Sequence, residues 1–218
     1  MLHGGGDKTA EHHCIRDDIY AQAKRGNTAP VLEAGGIMNV LGHPGDTGPG
    51  VSRERPADVL LCRAQDIRVG RGNGGAAGRV ALDVGVVCSQ AASHLGAAAR
   101  EVLGAAEEYA RTKCSRQEVE ERCRQAGVVF QPMIFDSLGG VSSEADRVIK
   151  SLNQAVAENT DSPIGEIATR FWQRISIDMQ RAGHRAFSRR SGSAGSSLGA
   201  EVGFLIRAAG ALEVPGGL

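Results

Sequence analysis

Two aspartates embedded in short apolar runs are the side chains best placed to do chemistry. Asp58 sits in Arg55-Pro-Ala-Asp-Val-Leu-Leu-Cys62, and Asp83 in Val80-Ala-Leu-Asp-Val-Gly-Val-Val87. Both runs are dense in Val and Leu and bounded by Gly, Pro or Arg, which predicts strands buried on both faces. A carboxylate in such a strand is costly unless a metal or another cation offsets its desolvation. Neighbouring strands lie about 4.8 Å apart, so the two carboxylates would reach one hard divalent ion. Mg2+, or Mn2+ in its place, takes oxygen ligands and keeps waters, so two carboxylates and a phosphate oxygen suit it. The plainer account of each aspartate is a turn-edge residue bonding backbone. Two of them in adjoining core strands favour the metal.

The elements that must position these acids follow from periodicity and punctuation. Ile15, Ile19 and Ala23 recur every four residues, predicting a helix from Ala10 to Lys24 that ends near Gly26. Pro30-Val-Leu-Glu33-Ala-Gly-Gly reads as a short strand with a carboxylate at its end. The Asp58 and Asp83 strands follow, separated by a loop rich in Arg and Gly. Ser89 to Ala126 reads as mostly helical: Leu95, Val102 and Tyr109 recur every seven residues, and Glu107–Arg111 and Glu118–Arg122 form i, i+4 pairs. Gly127 ends that stretch, and Val128-Val-Phe-Gln-Pro-Met-Ile-Phe135 is another strand, in which Pro132 predicts an edge position or a bulge. Ser143 with Asp146 resembles a cap opening a helix to about Glu158, and Ser162-Pro163 opens another to about Arg190. The result is one α/β domain with a mixed sheet over residues 10–190. Residues 1–9 read as a disordered lead and 191–218, rich in Gly, Ser and Ala, as a disordered tail.

Bulk composition narrows the classes. The 218 residues balance 25 Lys and Arg against 25 Asp and Glu, so no overall field draws the chain to nucleic acid and any basic surface is local. Much of the glycine, 30 residues in all, falls in Gly42–Gly50, Gly70–Gly78 and Gly192–Gly217, which read as loops or tails. No apolar run approaches the roughly 20 residues of a membrane-spanning helix, and the first residues carry no apolar signal segment. Cys14, Cys62, Cys88, Cys114 and Cys123 are odd in number and read as reduced, mostly buried thiols of an intracellular protein.

The order helix, strand, Asp strand, Asp strand, helix, strand is that of the PD-(D/E)XK nuclease core, with two extra C-terminal helices here. Specifically, the chain resembles the restriction-endonuclease-like segment that follows the reverse transcriptase of some non-LTR retroelements. The matching residues are Arg55-Pro-Ala-Asp58-Val-Leu-Leu, Ala81-Leu-Asp83-Val, Glu121-Arg-Cys-Arg-Gln-Ala-Gly-Val-Val-Phe130-Gln-Pro, Leu138-Gly-Gly and Phe171-Trp-Gln-Arg-Ile-Ser. The resemblance implies a Mg2+-dependent phosphodiesterase that nicks DNA at an insertion site. DNA, or the element's own RNA, would be the partner, with a reverse transcriptase domain upstream in the parent element and a nuclear location in a eukaryote.

One departure stands out. The family's lysine, which helps stabilise hydroxide and developing charge, would stand two residues after the second acid, where this chain has Gly85. Strand parity puts Asp83 and Gly85 on one face. A lysine of the following helix can substitute: Lys113 is four residues after Tyr109, close to the face that packs on the sheet. Glu33 is the third candidate acid. Their plain alternatives are a solvated helix lysine and a loop carboxylate.

The last long helix carries a separate signal. Arg170, Arg174, Arg181 and Arg185 fall within about a 60° sector at about 100° per residue. They lie beside an apolar stripe of Ile164, Ala168, Phe171, Ile175, Met179, Ala182 and Ala186. Such a basic stripe could track phosphates, or be a solvated face. Other signals are weaker. Gly70-Arg-Gly-Asn-Gly-Gly75 matches G-x-G-x-x-G but precedes a strand, not a helix. His12-His13-Cys14 lacks the C-x-x-C spacing of a zinc site, no nucleophile elbow supports Ser-His-Asp catalysis, and His94 reads as structural. Three functions compete: a DNA-nicking enzyme, an inactive nuclease-fold remnant that binds nucleic acid or protein, and a small-molecule enzyme on the same sheet.

Overall fold

The computed structural model describes residues 5–32, 57–69, 78–115 and 119–193. Glu33, the Gly42–Gly50 loop, the G-x-G-x-x-G stretch and the tail from residue 194 lie outside them. In chain order the elements are α1 (Gly5–Arg25), β1 (Pro30–Leu32), β2 (Val59–Leu61), β3 (Val80–Val87), α2 (Leu95–Arg100) and α3 (Gly104–Ser115). They continue as α4 (Val119–Gln125), β4 (Val129–Asp136), α5 (Ser143–Thr160) and α6 (Ile164–Ser193). The strands form one sheet in the order β1-β2-β3-β4. The first two pairings are antiparallel and β3–β4 is parallel, so the expected mixed α/β sheet is present. Pro132 lies in β4, the last strand of that order, where a missing N–H is tolerated.

Alternation along the strands divides the core into two layers. Val59 and Leu61, Val80, Leu82 and Val84, and Met133 and Phe135 meet Ile15 and Ile19 of α1, Ile149 and Leu152 of α5, and Phe171, Ile175 and Met179 of α6. The intervening residues point the other way. Leu60, Ala81 and Phe130 pack with Cys123 of α4, while Val87 and Ile134 pack with Ala105, Ala106 and Ala110 of α3. Helices therefore cover both faces of the sheet, as the unbroken apolar strands require.

Several details differ from the sequence reading. Helix α1 begins at Gly5, so residues 5–9 belong to it; nothing in Asp7-Lys8-Thr9 breaks a helix. At its other end Asn27, not Gly26, takes the left-handed conformation (φ 56°). Gly26 serves a close approach instead, since a Cβ there would lie 3.2 Å from Ala155 Cβ of α5. The seven-residue spacing of Leu95, Val102 and Tyr109 is not a buried stripe: Leu95 is 52% and Val102 88% exposed. The chain turns between α2 and α3 at Leu103 (φ 63°), and a Cβ at Gly104 would collide with the Ala97 carbonyl. Small residues thus set the contact, with Ala105, Ala106 and Ala110 letting α3 lie close to the sheet.

Helix α5 is capped differently from the Ser143/Asp146 expectation. Ser142 holds the N-cap position without a side-chain bond, and Glu107 Oε1 of α3 accepts the Ser143 N–H at 2.7 Å. Pro163 precedes α6, its carbonyl accepting from Glu166 and Ile167 at 3.0 and 3.2 Å. The buried stripe of α6 includes Ile167 with Phe171, Ile175, Met179 and Ala182, whereas Ile164 is exposed. All five cysteines are free, but only Cys123 is buried and Cys88 is exposed. No helix among the described residues is long and apolar enough to cross a membrane.

Candidate metal centre

Asp83 lies mid-way along β3, opposite Pro132 of β4. Asp58 immediately precedes β2, whose Val59 pairs with Leu82, so one step further along the register brings Asp58 abreast of Asp83. Its own N–H donates to the Leu82 carbonyl at 2.9 Å. Two carboxylates side by side on neighbouring strands repel one another, and the fold answers with a nitrogen group from each of two helices. Lys113 Nζ of α3 lies 2.8 Å from Asp83 Oδ2 and donates to the Val84 carbonyl at 3.3 Å. His12 Nε2 of α1 lies 3.0 Å from Asp58 Oδ2. The Val84 N–H donates to the same Oδ2 at 2.7 Å. One peptide residue, Val84, thus ties both halves of the site together.

These surroundings drive the two acids apart. Burial pushes Asp83 above the usual carboxylate range, Lys113 opposes that shift, and the adjacent Asp58 adds to it. Burial acts on Asp58 too, but the hydrogen bond and charge of His12, the Val84 N–H and Lys113 together hold it below that range. Divergence within a carboxylate pair is a feature of functional sites. Both side chains keep about a fifth of their surface exposed, 20% for Asp58 and 21% for Asp83, so a ligand can reach them. Cys123 is close enough for Asp83 to add to the burial that pushes its thiol up to about 11.

Gly85 explains how a lysine from a helix enters a site built on strands. A Cβ on Gly85 would stand 2.8 Å from Ile134 Cδ1, 2.9 Å from Tyr109 Cε1 and 3.5 Å from Lys113 Cε. The space that a side chain two residues after Asp83 would fill is taken by the Tyr109 ring and the stem of Lys113. Lys113 Nζ also lies 5.8 Å from the Tyr109 ring centre, within cation–π range, and His94 meets that ring edge-on at 6.4 Å. Lys113 is therefore an ion-paired residue with 19% side-chain exposure, not a freely solvated one.

Among the described residues no group of three or more His, Cys, Asp or Glu side chains is arranged to hold a metal ion. Glu33 lies outside those residues. The donor set of Asp58 and Asp83 is two hard oxygens with partial solvent access. That suits an ion such as Mg2+, which keeps waters and shares one or two carboxylates with a phosphate. It does not suit a closed structural site.

The arginines of α6 are placed elsewhere. Helix α6 packs on the sheet face opposite α3. Arg170 pairs with Glu166 at 3.2 Å, Arg174 with the buried Asp18 of α1, and Arg181 with Asp178 at 3.5 Å. Arg185 reaches Cys14 Sγ at 3.9 Å. The predicted stripe exists as a row, but its members are engaged with α1 and with acids of α6 itself.

His12 is the site residue that motif reasoning passed over. The available signal was positional: His12 stands three residues before Ile15 and seven before Ile19, on the helix face that meets the sheet. The described fold and site define a layered α/β domain with a carboxylate pair at adjoining strands, Asp83 paired with Lys113 and Asp58 hydrogen-bonded to His12. Comparison of the chain with protein-family models, curated proteins and solved structures gave no significant match.

Proposed function

We propose that this chain is a restriction-endonuclease-like domain that nicks DNA by Mg2+- or Mn2+-assisted phosphodiester hydrolysis. The observation that carries the reading is the convergence of Asp58, Asp83 and Lys113, with the Lys113 stem lying over Gly85. The fold assignment draws support from the helix followed by three antiparallel-linked strands, then helices and a parallel fourth strand. That order agrees with the α-β-β-β-α-β core the sequence resembles.

In this reading Asp58 and Asp83 hold the divalent ion. When bound, the ion supplies Lewis acidity to a phosphate oxygen and makes a coordinated water more acidic. Lys113, fixed by Asp83, the Val84 carbonyl and Tyr109, places a positive charge beside the carboxylates, where it would stabilise charge developing on the phosphate. The α6 arginines do not carry the proposal, because acids already engage three of them. Supercoiled plasmid incubated with the protein and Mg2+ or Mn2+ should be converted to nicked circles. Asp83→Asn should lower that rate at least ~100-fold, and undiminished nicking by Asp83→Asn would remove the assignment.

A second reading has one observation in its favour: His12 and Lys113 already compensate both carboxylates with protein groups. A remnant of the same fold that binds nucleic acid without cleaving it would show this too. Binding in a gel shift that survives EDTA, with no cleavage under either metal, would select it.

A further inference from the structure

The ladder bond from the Asp58 N–H to the Leu82 carbonyl fixes the backbone at Asp58 but not the direction of its carboxylate. Its orientation comes from two donors on one oxygen: the Val84 N–H at 2.7 Å and His12 Nε2 at 3.0 Å, both on Oδ2. A carboxylate offers only acceptor sites, about two per oxygen, so Nε2 carries the hydrogen in this contact and Oδ2 is saturated. The helix that carries His12 is anchored on several sides. Ile15, Ile19 and Ala23 of the same helix are fully buried, Gln22 donates to Asn153 of α5 at 2.7 Å, and Asp18 pairs with Arg174 of α6.

Building on the metal reading above, we propose that His12 is a positioning residue. By donating to Asp58 Oδ2 alongside Val84, it leaves Oδ1 as the oxygen available to a divalent cation. His12 would not be a ligand itself. Groups that hydrogen-bond a ligating carboxylate set its direction and basicity, and losing one typically weakens metal binding about 10–100-fold.

Mn2+ titrations of the full chain, followed by calorimetry and by the electron-paramagnetic-resonance signal of free Mn2+, test this. Wild type, His12→Ala and His12→Gln are compared, with thermal unfolding recorded for each. His12→Ala should keep the fold and bind Mn2+ about 10–100-fold more weakly. His12→Gln should recover most of the affinity, since its amide N–H reaches the place of Nε2. His12→Phe, which keeps the ring's bulk without the donor, repeats the test if alanine does not fold. Wild-type affinity in both the alanine and phenylalanine variants would overturn the proposal. A glutamine variant as weak as alanine would overturn it as well, because the imidazole itself would then be required. Absence of Mn2+ binding by wild type would remove the metal site, and the role of His12 with it.

Discussion

Placing an alanine at Gly85 tests the way this site admits its lysine. The new Cβ would lie 2.8 Å from Ile134 Cδ1 and 2.9 Å from Tyr109 Cε1, whereas carbon atoms pack at about 3.5–4.0 Å. Both neighbours must retreat by roughly 0.6–0.7 Å to reach the lower edge of that range. Overpacking of this kind costs about 1–3 kcal/mol, offset by the roughly 0.5–1 kcal/mol that alanine regains over glycine in a strand. A net loss of up to about 2.5 kcal/mol lowers Tm by up to roughly 10 °C in a chain of this size. Tyr109 underlies Lys113, so its displacement also moves Nζ, and a misplacement approaching 1 Å can cost about 100-fold in rate. Ile134→Val deletes the nearest methyl and alone costs about 0.5–1.5 kcal/mol. Combined with Gly85→Ala it should cost less than the two losses added, by about 0.5 kcal/mol or more. Calorimetric Tm values and plasmid nicking rates for the four proteins provide the readout. A Gly85→Ala protein with wild-type Tm and wild-type nicking, or strict additivity in the double variant, would refute the packing argument.

Two further outcomes follow from the same contacts. Asp18 is buried between α1 and α6, and burial first, with the neighbouring Asp178 adding and Arg174 opposing, raises it from the usual 3.8 to about 6. A carboxyl whose folded value exceeds its unfolded one stabilises most when protonated, so that contribution is full below about 3.8 and fades as pH rises through about 6. The loss amounts to at most about 3 kcal/mol. Denaturant midpoints should therefore fall across this window in the wild type and less in Asp18→Asn; identical profiles would contradict it. Lys113→Met should abolish nicking and destabilise the fold by less than the ~3–5 kcal/mol of a fully buried broken pair, because both partners are about a fifth exposed. A Lys113→Met protein that nicks normally would show the lysine to be structural.

What was legible in the sequence was periodicity and charge within apolar runs. The strands around Asp58 and Asp83 stood out because a carboxylate among Val and Leu is costly, and the structure brings both acids together with Lys113. Glu33 lies outside the described residues. The arginine row on α6 was legible as a row, but its acidic partners were not. Asp18 lies on α1, far away in the chain, and no local pattern announces that pairing. In the stretch before β4 the seven-residue repeat predicts one continuous face, which the structure does not have. Packing is set instead by Gly104 and three alanines, whose small size carries little periodic signal. His12 is masked by its own neighbours, because beside His13 and Cys14 it resembles part of a zinc cluster more than part of the helix face shared with Ile15.

In the proposed reading Asp58 and Asp83 together grip one divalent cation. Crystals soaked in Mn2+ and measured for anomalous scattering test it most directly. One strong peak is expected within about 2.0–2.4 Å of an oxygen from each carboxylate, absent in Asp83→Asn crystals. No peak between the two aspartates at millimolar Mn2+, or an undiminished peak in the asparagine variant, would contradict it.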